Sequence, residues 1–204
     1  MQLEKIKLEE ICDKIEKFYD EQYQVQNKVF ATIDNIGGKI RKLRGDCVER
    51  IADIIFGEIA KISSRKVHCF QGIKDYIDVS CGSCSKKHQV DRHVYVDSKL
   101  CLVVECKSYL DSCYYTRTCC DFSIFKQHDE KIKCYILSLE DSLNPDTKKF
   151  YDEFFKYSVN DVYFLCDGKR SSIKPIYNQV NKKRVCRKKL TTFIRSMWEL
   201  VHSC

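Results

Sequence analysis

The sequence predicts a mixed α/β protein with a central mixed β-sheet flanked by α-helices. Three observations carry that prediction. The chain opens with two long segments whose apolar residues recur at three- and four-residue spacing. From about residue 67 the period shifts toward two, with Gly72 and Gly82 at turn positions. Beyond residue 115 helical and strand-like segments alternate, which is the order of βαβ crossovers.

Each element has its own signal. Residues 2–33 form the first helix, with Leu3, Ile6, Ile11, Ile15, Phe18 and Tyr19 as apolar positions, and Gly37-Gly38 breaks the segment. A second helix is expected from Asp46 to residue 62, because Asp46 is a good N-cap and Glu49 completes a capping box. Its stripe is Val48, Ile51, Ile55, Ile59 and Ile62. Strands are expected at 67–71, 75–80, 88–97 and 100–107. Residues 115–127 return to helix on the face of Tyr115, Cys119, Phe122 and Phe125. A short buried strand at 133–138 and a helix opened by Pro145 follow, then a strand at 161–166 and a closing helix at 185–202. No repeat or low-complexity linker interrupts this order, so 1–204 reads as a single domain with an N-terminal helical part to about residue 45.

Composition narrows the function classes. With 44% hydrophobic residues and two prolines, 204 residues suffice for a proper core and argue against disorder. No stretch approaches the ~20 apolar residues of a membrane span, and Met1-Gln2-Leu3-Glu4-Lys5 lacks the apolar region of a signal peptide. A soluble, intracellular protein without a membrane partner is expected. The net charge of +7 is unevenly spread. Lys39, Arg41, Lys42, Arg44, Arg50, Lys61, Arg65 and Lys66 form one basic cluster, and Lys182 to Arg195 form another. Such clusters suit a polyanion, although either alone is equally well a solvated helix face. The fourteen cysteines sit singly inside apolar runs, as at Cys101, Cys106, Cys134 and Cys166, and read as small buried hydrophobes in a reducing compartment.

The chemistry gathers at Val90-Asp91-Arg92-His93-Val94 and Val103-Val104-Glu105-Cys106-Lys107. Alternation along a strand puts Glu105 and Lys107 on one face, with Val104 and Cys106 on the other. If 90–97 pairs antiparallel with 100–107, Asp91 comes alongside them. Two carboxylates make an oxygen site suited to Mg²⁺, and a lysine there can activate a water or steady transition-state charge. The apolar run Leu100-Cys101-Leu102-Val103-Val104 reads as a buried central strand. Charges at its end are costly unless paired or metal-bound.

These residues resemble the PD-(D/E)xK nuclease superfamily, and within it the type II restriction endonucleases. The resemblance covers the helix at 46–62, the strand pair at 88–107 and the helix after it, including Thr116-Arg117-Thr118-Cys119-Cys120-Asp121-Phe122. It implies a restriction-endonuclease-like core, with Asp91, Glu105 and the Cys106 carbonyl as metal ligands and Lys107 as the catalytic lysine. Glu49 matches the acidic residue that many members hold close to the metal, unless it merely completes the capping box. Val90 stands where the superfamily's name has proline. Asp78 is a rival for the first acid, and Glu58 a lesser alternative to Glu49.

The resemblance further implies Mg²⁺-dependent cleavage of double-stranded DNA at a short palindrome by a homodimer. The size of the chain points to a four-base site. Base reading is expected from the loops at 37–45, 108–118 and 168–184. Arg44, Arg92, His93, Arg117, Lys169, Arg170, Asn178, Gln179 and Asn181 are the DNA-binding candidates. A structure-specific repair or recombination nuclease is the alternative within enzymes. A non-catalytic DNA-binding protein is the alternative outside them, one form of it stapled by structural zinc at Cys81 and Cys84 with help from His88 or Cys69.

Overall fold

Helical spacing and strand alternation sort the apolar side chains onto two faces of one sheet. The computed structural model describes residues 3–32, 37–72, 75–81, 83–169 and 183–204. In chain order the elements are α1 (Lys5–Thr32), α2 (Gly37–Ile62), β1 (Val67–Gln71), β2 (Ile77–Cys81), β3 (Cys84–His88), β4 (Arg92–Val96) and β5 (Lys99–Leu110). Then follow α3 (Ser112–His128), β6 (Lys133–Asp141), α4 (Pro145–Phe154), β7 (Asp161–Phe164) and α5 (Arg187–Ser203).

The main sheet has the order β1-β4-β5-β6-β7. Its first two pairings are antiparallel and its last two parallel, so the expected mixed sheet is present. β2 and β3 form a separate hairpin. On one face Leu102, Val104 and Cys106 of β5 pack with α1, α2 and α5. On the other, Val103 meets Tyr115, Cys119, Phe122 and Phe125 of α3. β5 is thus buried on both sides, which explains its unbroken apolar run.

Helix α2 anchors the first layer. Ile51, Ala52, Ile55, Phe56 and Ile59 are all at most 1% exposed. Each of the larger side chains contributes about 1.5–3 kcal/mol by leaving water. α1 joins the same layer through Leu8, Ile11, Cys12, Ile15 and Tyr19. Ile6 lies off that stripe, two positions from Leu8 and so on the far side of the wheel, and is 71% exposed.

The β4–β5 turn brings the site strands together. Asp97 and Ser98 both have positive φ (49° and 70°), the conformation a tight two-residue hairpin needs. Asp97 is held there by the Lys66 amide at 3.0 Å and by Arg65 Nε at 2.8 Å. A register shift between Val94 and Tyr95 then sets Arg92 opposite Val104.

Several expected boundaries move. α2 begins at Gly37, not Asp46, so Asp46 is no N-cap and the capping box does not exist. Lys39, Lys42, Leu43 and Arg44 are strong helix formers that carry the helix through Gly45. The expected loop at 37–45 is therefore helix, and that at 108–118 is the end of β5 followed by α3, capped by Asp111. The expected strand at 88–97 starts only at Arg92, because His88 closes β3 on β2. The thirteen described thiols at positions other than 81 are all free.

Candidate active site

β5 sets Glu105 and Lys107 on one face, and the bend before β4 brings Asp91 to them. The Asp91 amide donates to Glu105 Oε2 at 3.3 Å, and the Cys106 amide donates to Asp91 Oδ2 at 2.7 Å. Lys107 Nζ is bonded to Glu105 Oε1 and lies 3.6 Å from Asp91 Oδ2. The side chains of Asp91, Glu105 and Lys107 are 28%, 12% and 21% exposed, so the group lies within reach of solvent although β5 is the central strand. The sequence-predicted trio is therefore together in space.

Electrostatics follow from burial and crowding. Burial, and next the Asp91 charge, push Glu105 up to about 7. Burial disfavours the Lys107 ammonium, but Glu105 and Asp91 outweigh it and raise Lys107 overall. The site carries more buried negative charge than Lys107 alone offsets, which is the condition a bound cation relieves.

The donor set fits Mg²⁺. Among the described residues no group of three or more His, Cys, Asp or Glu side chains gathers around one point. Two carboxylates completed by a carbonyl and water match the habit of Mg²⁺, which keeps several waters. The Cys106 thiol is buried in the core, while its amide faces the Asp91 edge of β5. In a strand the carbonyl of the same residue shares that edge.

Behind Asp91 stands Arg92, whose side chain is 1% exposed. Its Nε and Nη2 fork onto Asp53 at 2.7 and 3.1 Å, and its Nη1 donates to Glu49 at 2.9 Å and to the Asp91 carbonyl at 2.6 Å. Glu49 is raised, first by burial and then by the Asp91 charge, against the opposing effect of Arg92. It borders the trio, linked to the Asp91 backbone through Arg92 and close enough to feel the Asp91 charge. Asp53 went unpredicted, yet Glu49 and Asp53 stand four apart on one helix face, a carboxylate pair that calls for a cation.

Two DNA-contact expectations are corrected by burial. Arg92 is enclosed between α2 and β4, and His93 is 0% exposed with Nδ1 3.0 Å from Asp75 and its ring edge-on to Phe125. Burial lowers the pKa of His93 despite the opposing effect of Asp75. Arg44 is tied to the buried Glu140 at 2.5 Å. Arg117 is 80% exposed on α3, and Lys169 is exposed. Arg170, Asn178, Gln179 and Asn181 lie outside the described residues.

The rivals sit elsewhere. Asp78 is exposed on β2 opposite Lys87, and Glu58 pairs with Lys14 and Lys61. The Cys81 side chain lies outside the described residues, although its backbone pairs with Cys84 across the β2–β3 hairpin. Cys84 is exposed on β3, Cys69 belongs to β1, and His88 Nε2 meets the Asp121 carbonyl at 3.1 Å, and these described residues do not gather around one point.

No family model matches the chain. Over 119 residues it is 32% identical to the type II restriction enzyme DdeI of Desulfomicrobium norvegicum, a match taking in 52% of this chain and 49% of that protein. The chain spans about half the length of the curated relative it matches. Among solved structures it is similar to the native BbvCI A2B2 tetramer, with a TM-score of 0.45 and 8% identity over 94% of this chain and 90% of that one. The resemblance to type II restriction endonucleases thus has a counterpart in measured sequence similarity.

Proposed function

We propose that this chain is a type II restriction endonuclease, a Mg²⁺-dependent hydrolase of phosphodiester bonds in double-stranded DNA at a short palindrome. The observation that carries the reading is the convergence of Asp91, Glu105 and Lys107 across β4 and β5. Sequence similarity to a type II restriction enzyme supports it.

Asp91, Glu105 and the Cys106 carbonyl would hold the ion. When bound, Mg²⁺ supplies Lewis-acid polarisation of the phosphate and a lowered pKa for the attacking water. The chain's own residues do the rest. Asp91 is aligned in advance by the Cys106 amide, so its carboxylate needs no reorganisation during the reaction. Lys107 is kept charged by two carboxylates and brings that charge to where negative charge develops on the phosphate. Arg92 ties the Asp91 backbone to α2. Water attacks in line, without a covalent enzyme intermediate.

A palindromic site is matched by two-fold protein symmetry, so the working unit is a homodimer with one cut per subunit. Of the expected DNA-contact residues, Arg117 and Lys169 are exposed cations available to the DNA backbone, and Arg170, Asn178, Gln179 and Asn181 remain candidates for base contact. No described helix is long and apolar enough to cross a membrane.

The test is a digest of defined, unmethylated viral DNA with the purified protein, with Mg²⁺ or with chelator, alongside Lys107→Ala. Discrete Mg²⁺-dependent bands that vanish in the variant are expected. A smear would point to a structure-specific or non-specific nuclease. A retained gel shift without any cleavage would leave a DNA-binding protein.

A further inference from the structure

The backbone that carries Asp91 is held from three directions. Gly72 N–H and Arg92 Nη1 both donate to the Asp91 carbonyl, at 3.1 and 2.6 Å. The third hold is one residue earlier, where the Val90 amide donates to His93 Nε2 at 3.3 Å. A backbone N–H can only donate, so Nε2 must be the acceptor and Nδ1 must carry the proton. That proton faces Asp75 Oδ2 at 3.0 Å. Asp75 is itself fixed by the Tyr95 hydroxyl and by its own amide on the Gly72 carbonyl at 3.2 Å.

His93 is 0% exposed, and Val90 is 5% exposed. A buried amide without a partner is costly, so the Val90–His93 bond matters more than an exposed one would. Proline at position 90 would set φ with its ring and carry no N–H. Val90 does neither, and its amide must be satisfied by something that also fixes the bend.

We infer that His93, oriented by Asp75, is a positioning residue that locks the Val90–Asp91 bend and so sets the carboxylate of Asp91 for its divalent cation. The lock rests on the metal-site reading above. It acts through backbone and touches neither ion nor DNA. His93 has the relation to Asp91 that outer partners of metal ligands have, and loss of such partners typically weakens metal binding about 10–100-fold.

The test is calorimetric titration of Mn²⁺ into the purified full-length chain, without DNA. His93→Phe fills the site beside Phe125 but offers no acceptor, and it should weaken Mn²⁺ binding about tenfold or more. His93→Gln keeps an acceptor for the Val90 amide and should recover most of that loss. In a Val90→Pro background there is no amide to hold, so adding His93→Phe should change Mn²⁺ affinity less than about threefold. Near-UV circular dichroism establishes that each variant is folded. If Val90→Pro does not fold, the Phe and Gln pair at position 93 still decides.

Equal affinity losses for Phe and Gln, or a lower melting temperature with unchanged Mn²⁺ affinity, would overturn the lock and leave His93 as packing. Asp91→Asn separates the two readings. Wild-type binding that Asp91→Asn abolishes but His93→Phe spares overturns the lock alone. Wild-type protein that binds no Mn²⁺ overturns the site and the lock together.

Discussion

The amide of Cys106 donates to Oδ2 of Asp91 at 2.7 Å, so the strand carrying Glu105 and Lys107 also aims the first acid. The spacing of the three groups is therefore a consequence of β4–β5 register. The register shift at Val94/Tyr95 matters for the same reason. A one-residue slip would turn Glu105 and Lys107 into the α2 layer and Val104 and Cys106 out of it.

That crowding of charge predicts a stability gain on losing function. Glu105 lies at about 7, against an ordinary 4.5. Its folded pKa is above its unfolded one, so its contribution to stability is present below about 4.5 and is lost as pH rises through about 7. The metal-free protein should lose stability across that window. Glu105→Gln should flatten the slope and raise the metal-free melting temperature at pH 8 by about 2–4 °C. Lys107 retains Asp91 as a partner in the variant. Mn²⁺ binding, which needs the ionised carboxylate, should strengthen up to about pH 7 in the wild type and be lost in the variant. Scanning calorimetry across pH reads both, and an unchanged slope would discount the buried charge.

Arg92 predicts the opposite sign. Its guanidinium satisfies Asp53 and Glu49 together, and the side chain is 1% exposed. Arg92→Met takes the buried cation from Glu49 and leaves Asp53 with the more distant Arg50 at 3.7 Å, and breaking a buried pair costs about 3–5 kcal/mol. Arg92→Lys should recover little, since an ammonium cannot reproduce the fork onto Asp53. Urea denaturation measures this, and a loss under 1 kcal/mol would make the network incidental.

Why Arg92 looked like a DNA contact shows where the sequence stops. Periodicity made α2, β5 and α3 legible, because each buries a face whose residues recur at 3.6 or 2. Glu105, Lys107 and Asp91 were legible because charge interrupts or adjoins an apolar run. Burial of a single polar residue has no such signature: Arg92 and His93 are inside only because Asp53 and Asp75, remote in sequence, meet them there. The start of α2 failed for another reason. Asp46 and Glu49 satisfy a capping pattern locally, while the helix formers before them extend the helix past it.

Gly72 predicts an effect on activity out of proportion to stability. A Cβ there would lie 1.6 Å from the Val90 carbonyl oxygen, and that atom belongs to backbone that cannot swing aside. Gly72→Ala must therefore displace the bend carrying Asp91. Cleavage should fall at least tenfold, because misplacing a reacting group by about 1 Å can cost 10²-fold. Gly45→Ala is the control. Nothing lies within 4 Å of its Cβ position inside α2, so it should be neutral or stabilise by up to about 1 kcal/mol. Equal activities for the two variants would remove the steric argument.

Arg117 and Arg44 separate DNA contact from internal structure. Arg117 is 80% exposed on α3 and has only Asp121, at 3.9 Å, as an ion-pair partner among the described residues. If it meets a phosphate, Arg117→Ala should weaken DNA binding at every sequence alike and reduce the salt slope by about 0.9. The fold should be unaffected, since an exposed pair of this kind contributes at most about 1 kcal/mol. Arg44 is the contrasting case, with its guanidinium on a Glu140 side chain only 6% exposed. Arg44→Ala leaves that carboxylate with Lys183 at 3.9 Å as its remaining ion-pair partner among the described residues, so stability should fall along with any change in binding. Fluorescence anisotropy against salt, with Ca²⁺ replacing Mg²⁺ to prevent cleavage, measures the slopes, and urea melts measure the fold. A full salt slope in Arg117→Ala would withdraw α3 from the DNA surface and leave the segment around Lys169 to carry it.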